Sequence, residues 1–211
     1  MRDLPIFTTE RGVASLTLAQ IPYTQEAYIR IQDSHAPEAF LAECIGFCRA
    51  AGAQRIYAAG HEVCEKHPEH ARIIRMQADR QSVGETDAAL FPVTEATLER
   101  WVELYNQKVV NVPNGAWMTV NMAKQMLQNG DGYFVHRNGV LLGIGKASGN
   151  VIDWVAAVCP GAGTDVVRAL CHALSEETVS LTVASKNTKA VALYEKLGFL
   201  PVDIVSVWYA V

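Results

Sequence analysis

The sequence predicts a mixed α/β (α+β) fold in which strands and helices follow one another along the chain. Three observations carry this. Leu181 to Phe199 reads as a strand, a polar turn and a short helix stopped by glycine. Asn138-Gly139 stands between two apolar runs, a strong hairpin signal. Around both, strand-like and helix-like periodicities recur through a chain of 211 residues, long enough to bury a full core.

The elements follow in order. Gly12 to Ala19 and Ala27 to Gln32 read as strands, Pro37 to Ala51 as a helix with Gly52 after it, and Arg55 to Ala59 and Ala71 to Ala78 as further strands. Ala89 to Val93 is another strand. Thr94 is placed to cap a helix whose apolar stripe is Leu98, Trp101, Val102, Tyr105 and Val109. A second helix runs from near Thr119 to Gln128, closed by Asn129-Gly130. Then come the hairpin that folds at Asn138-Gly139 and a strand from Val151 to Val158. Gly161 and Gly163 precede a helix from about Thr164 to Glu176, with Val166, Val167, Leu170 and Leu174 on its apolar face. Leu181 and Val183 alternate with Thr182, Asn187 can cap the next helix, and Gly198 supplies its left-handed stop. Ala190, Leu193 and Leu197 share the face toward the sheet. Tyr194 lies at the edge of that face, where a phenol could reach a ligand beside the strand. Strands around Phe199 to Val202 and Ile204 to Ala210 close the chain.

Composition narrows the function. A net charge of −4, a pI near 5.9 and no run of Lys or Arg argue against a nucleic-acid surface, leaving small or protein-borne substrates. The start shows no cleavable leader and no apolar segment approaches the roughly 20 residues of a membrane span, so no membrane and a cytoplasmic location are expected. Cys44, Cys48, Cys64, Cys159 and Cys171 are odd in number and irregular in spacing, which suits reduced thiols. His61-x-x-Cys64-x-x-His67-x-x-His70 offers zinc-ligand chemistry, but its spacing matches no common zinc module and its neighbours read as a solvated loop. No metal is expected.

The ordered set Asn187, Ala190, Leu193, Tyr194, Leu197, Gly198 and Phe199 resembles the strand, turn and helix that carry acetyl-coenzyme A and the catalytic tyrosine in the GNAT acetyltransferase superfamily. The element order over residues 85–211 is similar to that whole fold, a mixed twisted sheet flanked by helices. Residues 1–84 repeat part of the order and read as a truncated, degenerate GNAT-like copy. Its helix opens Asp33-Ser34-His35-Ala36-Pro37-Glu38, with acids and no glycine where a diphosphate would sit. A packing or dimerisation module, and hence a possible homodimer, is the expectation there.

The resemblance implies acetyl-coenzyme A as co-substrate and direct transfer to a primary amine of a small molecule or peptide. Backbone groups around Ala156 and Val158 would hold the pantetheine arm, and Gly161, Ala162, Gly163 and Thr164 the diphosphate. Asn187 would bond the cofactor, cap its helix, or do both. Tyr194 matches the family's proton donor to the leaving thiolate; alternatively it is a packed aromatic with a satisfied hydroxyl. Asp153 is the candidate base, or simply a solvated carboxylate. Cys159 could be a nucleophile but has no evident histidine partner. Trp117, Met118, Tyr133 and Trp154 line the acceptor pocket or belong to the core.

One departure bears on the cofactor. Loops of this superfamily usually read Arg or Gln, two residues, Gly, one residue, then Gly or Ala. Here Val158-Cys159-Pro160 runs straight into Gly161-Ala162-Gly163, with Val158 where the basic or amide residue would stand. Weaker or differently routed acetyl-coenzyme A binding is expected, and a non-catalytic module that senses coenzyme A or serves assembly is the alternative to an enzyme.

Overall fold

The computed structural model describes residues 5–110, 112 and 115–211. In chain order the elements are β1 (Ile6–Thr9), β2 (Gly12–Thr17), α1 (Ile21–Thr24), β3 (Glu26–Ser34), α2 (Pro37–Ala50), β4 (Arg55–Ala59), a 3-10 turn (Glu62–Lys66) and β5 (Glu69–Asp79). They continue with β6 (Ala89–Pro92), α3 (Glu95–Val109), α4 (Val120–Asn129), β7 (Gly132–Arg137), β8 (Val140–Ser148) and β9 (Val151–Ala157). The last are α5 (Gly163–His172), β10 (Thr178–Ala184), α6 (Thr188–Lys196) and β11 (Leu200–Ala210). Two compact units result, one from the chain up to Arg72 together with Ile204–Val211, the other from Ile73–Asp203.

In the first unit β1, β2 and β3 form an antiparallel meander, and the α2 crossover brings β4 parallel to β3. Pro37 starts α2, where its missing N–H costs nothing. Phe40, Leu41, Cys44 and Cys48 are buried against Ala14, Leu16, Ile29, Ile31 and Ile56. The end of β11 adds antiparallel to β4, with Tyr209 opposite Ala58.

In the second unit the strand order is β5-β10-β9-β8-β7-β6. Only β9 and β10 are parallel; the other neighbours are antiparallel. Helices α3 and α4 cover one face, where Trp101, Leu104, Tyr105 and Met126 pack with Phe134 and Ile144. Helices α5 and α6 supply Val166, Val167, Leu170, Tyr194 and Leu197 to a cluster with Leu142, Ile152, Leu181 and Phe199. Gly143 lets α5 settle on the sheet, because a Cβ there would meet Val166 at 2.6 Å; Gly145 does the same beneath Leu170.

The local signals in the sequence are realised. Thr94 N–H donates to Thr97 Oγ1 at 2.9 Å ahead of α3, and Thr119 Oγ1 accepts from Met122 N–H ahead of α4. Asn138 and Gly139 both take positive φ, the hairpin geometry that matches strand twist. Several expectations are corrected. The two terminal strands are one continuous β11, because Pro201 and Asp203 lie in extended backbone rather than in a turn. Helix α5 ends at His172 instead of Glu176, while β1 and the short α1 carry no periodic signal. The first compact unit runs to Arg72, and the Ile73–Asp79 part of β5 pairs with β10.

Candidate active site

β9 and β10 pair at only two positions, Val151 with Ser180 and Ile152 with Leu181. Beyond Ile152 the strands part, and β9 holds β8 alone. The β8 register slips between Lys146 and Ala147, so that Lys146 faces Trp154, Ala147 faces Ile152, and Asp153 is left without an opposite residue. This bulge changes which backbone groups face the gap. Val158 N–H donates to Leu142 O at 2.8 Å, and alternation along the strand then turns Ala156 toward β8 as well, opposite Ile144. Val155 and Ala157, not Ala156 and Val158, therefore present backbone groups to the gap. By contrast, β3 and β4 pair continuously from Glu26–Arg55 to Arg30–Ala59, so the equivalent gap in the first unit is closed.

At the end of this gap lies the start of α5. Among the loop donors, Val158 and Cys159 N–H go to Leu142 O and Ala162 N–H to Cys159 O. Among the described residues the N–H groups of Gly161, Gly163, Thr164 and Asp165 have no backbone acceptor, which is the donor set an anion needs at a helix start. Gly161 is exposed with φ +80°, a conformation that penalises any side chain, and open space lies beyond its Cα. A Cβ on Gly163 would meet Leu193 of α6 at 3.0 Å. Ala162 is buried, and its N–H is turned to Cys159 O at 3.3 Å. The Asp165 carboxylate would repel an anion here, but Arg137 holds it at 3.1 Å and Thr86 donates to it at 3.2 Å. Nothing in the local sequence reveals Arg137, because it reaches this helix from the end of β7.

Asn187 caps α6, its Oδ1 accepting from Ala190 N–H at 3.4 Å, and Gly198 takes the expected left-handed φ of +87°. Tyr194 lies deeper than the edge position expected. It is 6% exposed, 5.9 Å from the Phe199 ring centroid, and burial pushes its pKa up to about 12. Its hydroxyl has no hydrogen-bond partner among the described residues. Tyr194 is thus a packed aromatic whose hydroxyl bonds no other described residue.

Asp153 is not a free carboxylate. Lys146 donates to its Oδ2 and lies 3.0 Å from Asp131 Oδ2. Burial opposes the Lys146 charge, but hydrogen bonds to Asp153 and Asp131 outweigh it and raise the ammonium pKa overall. The side chains of Asp131 and Lys146 are 6% and 16% exposed, and Asp131 Oδ1 has no partner among the described residues. Neither residue is among the candidates that the sequence offers. A lone lysine inside the apolar run from Val140 to Ala147 was the available signal.

The remaining candidates separate. Met118 is core: it is buried, and the buried Asn106 side chain holds both its N–H (2.8 Å) and its C=O (3.2 Å). Trp117, Tyr133 and Trp154 are half-buried. Cys159 donates to Leu141 O at 3.2 Å and has no histidine beside it among the interactions described. Of the histidine and cysteine quartet, Cys64 is sealed in the first unit's core, His61 Nδ1 accepts from Val63 N–H, and His70 stacks on Tyr57 at 3.8 Å. They do not converge, and among the described residues no group of three or more His, Cys, Asp or Glu is placed to hold a metal. None of the described helices is long and apolar enough to cross a membrane.

Comparison with known proteins shows where this arrangement, a parallel pair that opens beside a glycine-turned helix start, recurs. The family model for FR47-like protein matches residues 159–208. A putative acetyltransferase from Pyrococcus horikoshii superposes with a TM-score of 0.64 at 12% identity, covering 95% of this chain and 70% of that one. A functionally unknown conserved protein from Staphylococcus epidermidis gives 0.64 at 13% identity, over 100% and 94%. A tandem GNAT protein from the clavulanic acid biosynthesis pathway gives 0.53 at 13% identity, over 95% and 78%. No curated protein matches the sequence. The fold is that of the GNAT acyltransferases, and the segment 159–208 is similar to the FR47-like family.

Proposed function

We propose that the protein is an acetyl-coenzyme A-dependent N-acetyltransferase acting on a primary amine of a small molecule or peptide. The observation that carries this reading is the two-residue pairing of β9 with β10, which leaves a gap running from Asp153 to the unpaired N–H groups of α5. The residues present fit the cofactor's parts. Gly161, Gly163, Thr164 and Asp165 N–H would hold the diphosphate, and Val155 and Ala157 would bond the amide groups of the arm. When bound, acetyl-coenzyme A supplies an activated acetyl thioester.

The chain's own groups then handle protons. An ammonium acceptor must lose a proton before its nitrogen lone pair can form the N–C bond. Asp153 is the candidate acceptor of that proton, and it must loosen from Lys146 to act. As the C–S bond breaks, Tyr194 can donate a hydrogen bond to the sulfur. A phenol at about pKa 12 is a weaker acid than a thiol near 8.5, so donation short of full transfer is favoured. The first unit, with β3 and β4 closed and Glu38 in the first turn of α2, serves as a truncated copy without a cofactor site.

A second reading has its own support: Asp153 is tied to Lys146, and Tyr194 is deep, which suits a module that binds coenzyme A without turnover. Calorimetry with acetyl-coenzyme A, followed by transfer assays read by product mass, separates them. Binding with acetyl transfer supports the enzyme, binding alone supports the module, and no binding at millimolar ligand defeats both.

A further inference from the structure

On the acetyl-transfer reading, which this inference deepens, the acceptor nitrogen arrives where β9 leaves β10, beside Asp153. Charge at that point is unbalanced. Lys146 lies between two carboxylates, so Asp131, Lys146 and Asp153 together carry one net negative charge. Asp131 is 5% exposed, and while its Oδ2 is aimed at the Lys146 ammonium, its Oδ1 has no hydrogen-bond donor. Asp153 is engaged through Oδ2 alone, and its side chain is 33% exposed. The Lys146 ammonium also sits 5.4 Å from the Trp154 ring centroid, so that this aromatic face already receives a cation. A buried carboxylate short of donors favours a second positive group and disfavours another anion.

We infer that this cluster selects the acceptor: a polycationic amine, whose reacting nitrogen shares a short chain with a second ammonium, in preference to an amine that carries a carboxylate. Lys146 turns two of its three donors to the aspartates and is only 16% exposed, so it is poorly placed to receive an acceptor carboxylate. A distal ammonium gains from the net charge; a distal carboxylate meets it as repulsion.

The test uses the full chain, saturating acetyl-coenzyme A, and three acceptors with the same four-carbon chain and reacting amine: butylamine, terminal diaminobutane and terminal aminobutanoate. The expected order of kcat/KM is diamine, then monoamine, then amino acid, with the diamine ahead of the amino acid by roughly tenfold or more at low salt. Added salt should narrow that ratio. Asp131→Asn and Asp153→Asn each neutralise the cluster and should reduce the ratio to within about threefold, whatever they do to the absolute rate. The ratio is read independently in each variant, so loss of activity in one leaves the other decisive. Equal kcat/KM for the three acceptors, or a preference for aminobutanoate, overturns the inference while leaving acetyl transfer intact. Acetyl-coenzyme A binding in calorimetry with no amine acetylated removes the inference together with the catalytic reading.

Discussion

Replacing Lys146 with methionine should be among the most damaging single changes in the second unit. The substitution keeps the length of the side chain and removes its charge. Asp131 is then left at 6% side-chain exposure with neither oxygen neutralised, whereas Asp153, at 33%, can turn to water. Breaking a buried pair from one side costs about 3–5 kcal/mol, and the partial exposure of Asp153 argues for the lower end, about 3 kcal/mol. At roughly 2–4 °C per kcal/mol for a chain of this size, melting should fall by on the order of 10 °C. Urea unfolding followed by tryptophan fluorescence reads the change well, because Trp154 lies under the ammonium and Trp101 is near it. The double variant Lys146→Met with Asp131→Asn removes the stranded charge and should recover about 2 kcal/mol of the loss. A loss below about 1 kcal/mol, or additivity of the two changes, would refute the claim that Lys146 compensates the buried Asp131 side chain.

Other consequences can be checked separately. The Lys146 ammonium pKa is raised above its ordinary 10.5, so its stabilisation should be complete below that pH and decline as pH rises through the higher folded value; the methionine variant should lack this alkaline decline. Tyr194 has a raised folded pKa of about 12 against an ordinary 10.0, so it too contributes fully below pH 10 and loses that contribution between about 10 and 12. Tyr194→Phe should flatten unfolding curves in that window, and an unchanged alkaline profile would contradict the burial argument. Gly161→Ala forces a side chain onto φ +80° with open space around it, costing about 1–2 kcal/mol of stability. It should weaken acetyl-coenzyme A binding as the loop relaxes, and unaltered affinity would remove this turn from the cofactor site.

What was legible in the sequence was local chemistry. Asn138-Gly139, Thr94, Asn187 and Gly198 each specify a turn or cap through their own backbone or side chain, and each does so in the structure. What was not legible depends on register between strands. One extra residue at Asp153 reverses which side of β9 faces the gap, so Val155 and Ala157 replace Ala156 and Val158. The same pairing brings Lys146 alongside Trp154 and hence to Asp153, residues that no sequence spacing connects. Arg137 and Asp165 meet in the same way, across the sheet from strand end to helix start. Pro201 and Asp203 carry turn chemistry yet lie within β11, where pairing overrides local preference.

The central claim is that one gap in one unit takes an acyl-coenzyme A and presents its thioester to an amine. Titration calorimetry of the full chain with acetyl-coenzyme A, paired with single-turnover transfer in the Tyr194→Phe variant, tests it most directly. The account predicts one molecule bound per chain, because β3 and β4 are closed while β9 and β10 are open, and a slower transfer step in the variant at nearly unchanged affinity. Two sites per chain, or no binding at millimolar concentration, would contradict it, and an unaltered transfer rate would take Tyr194 out of the chemistry.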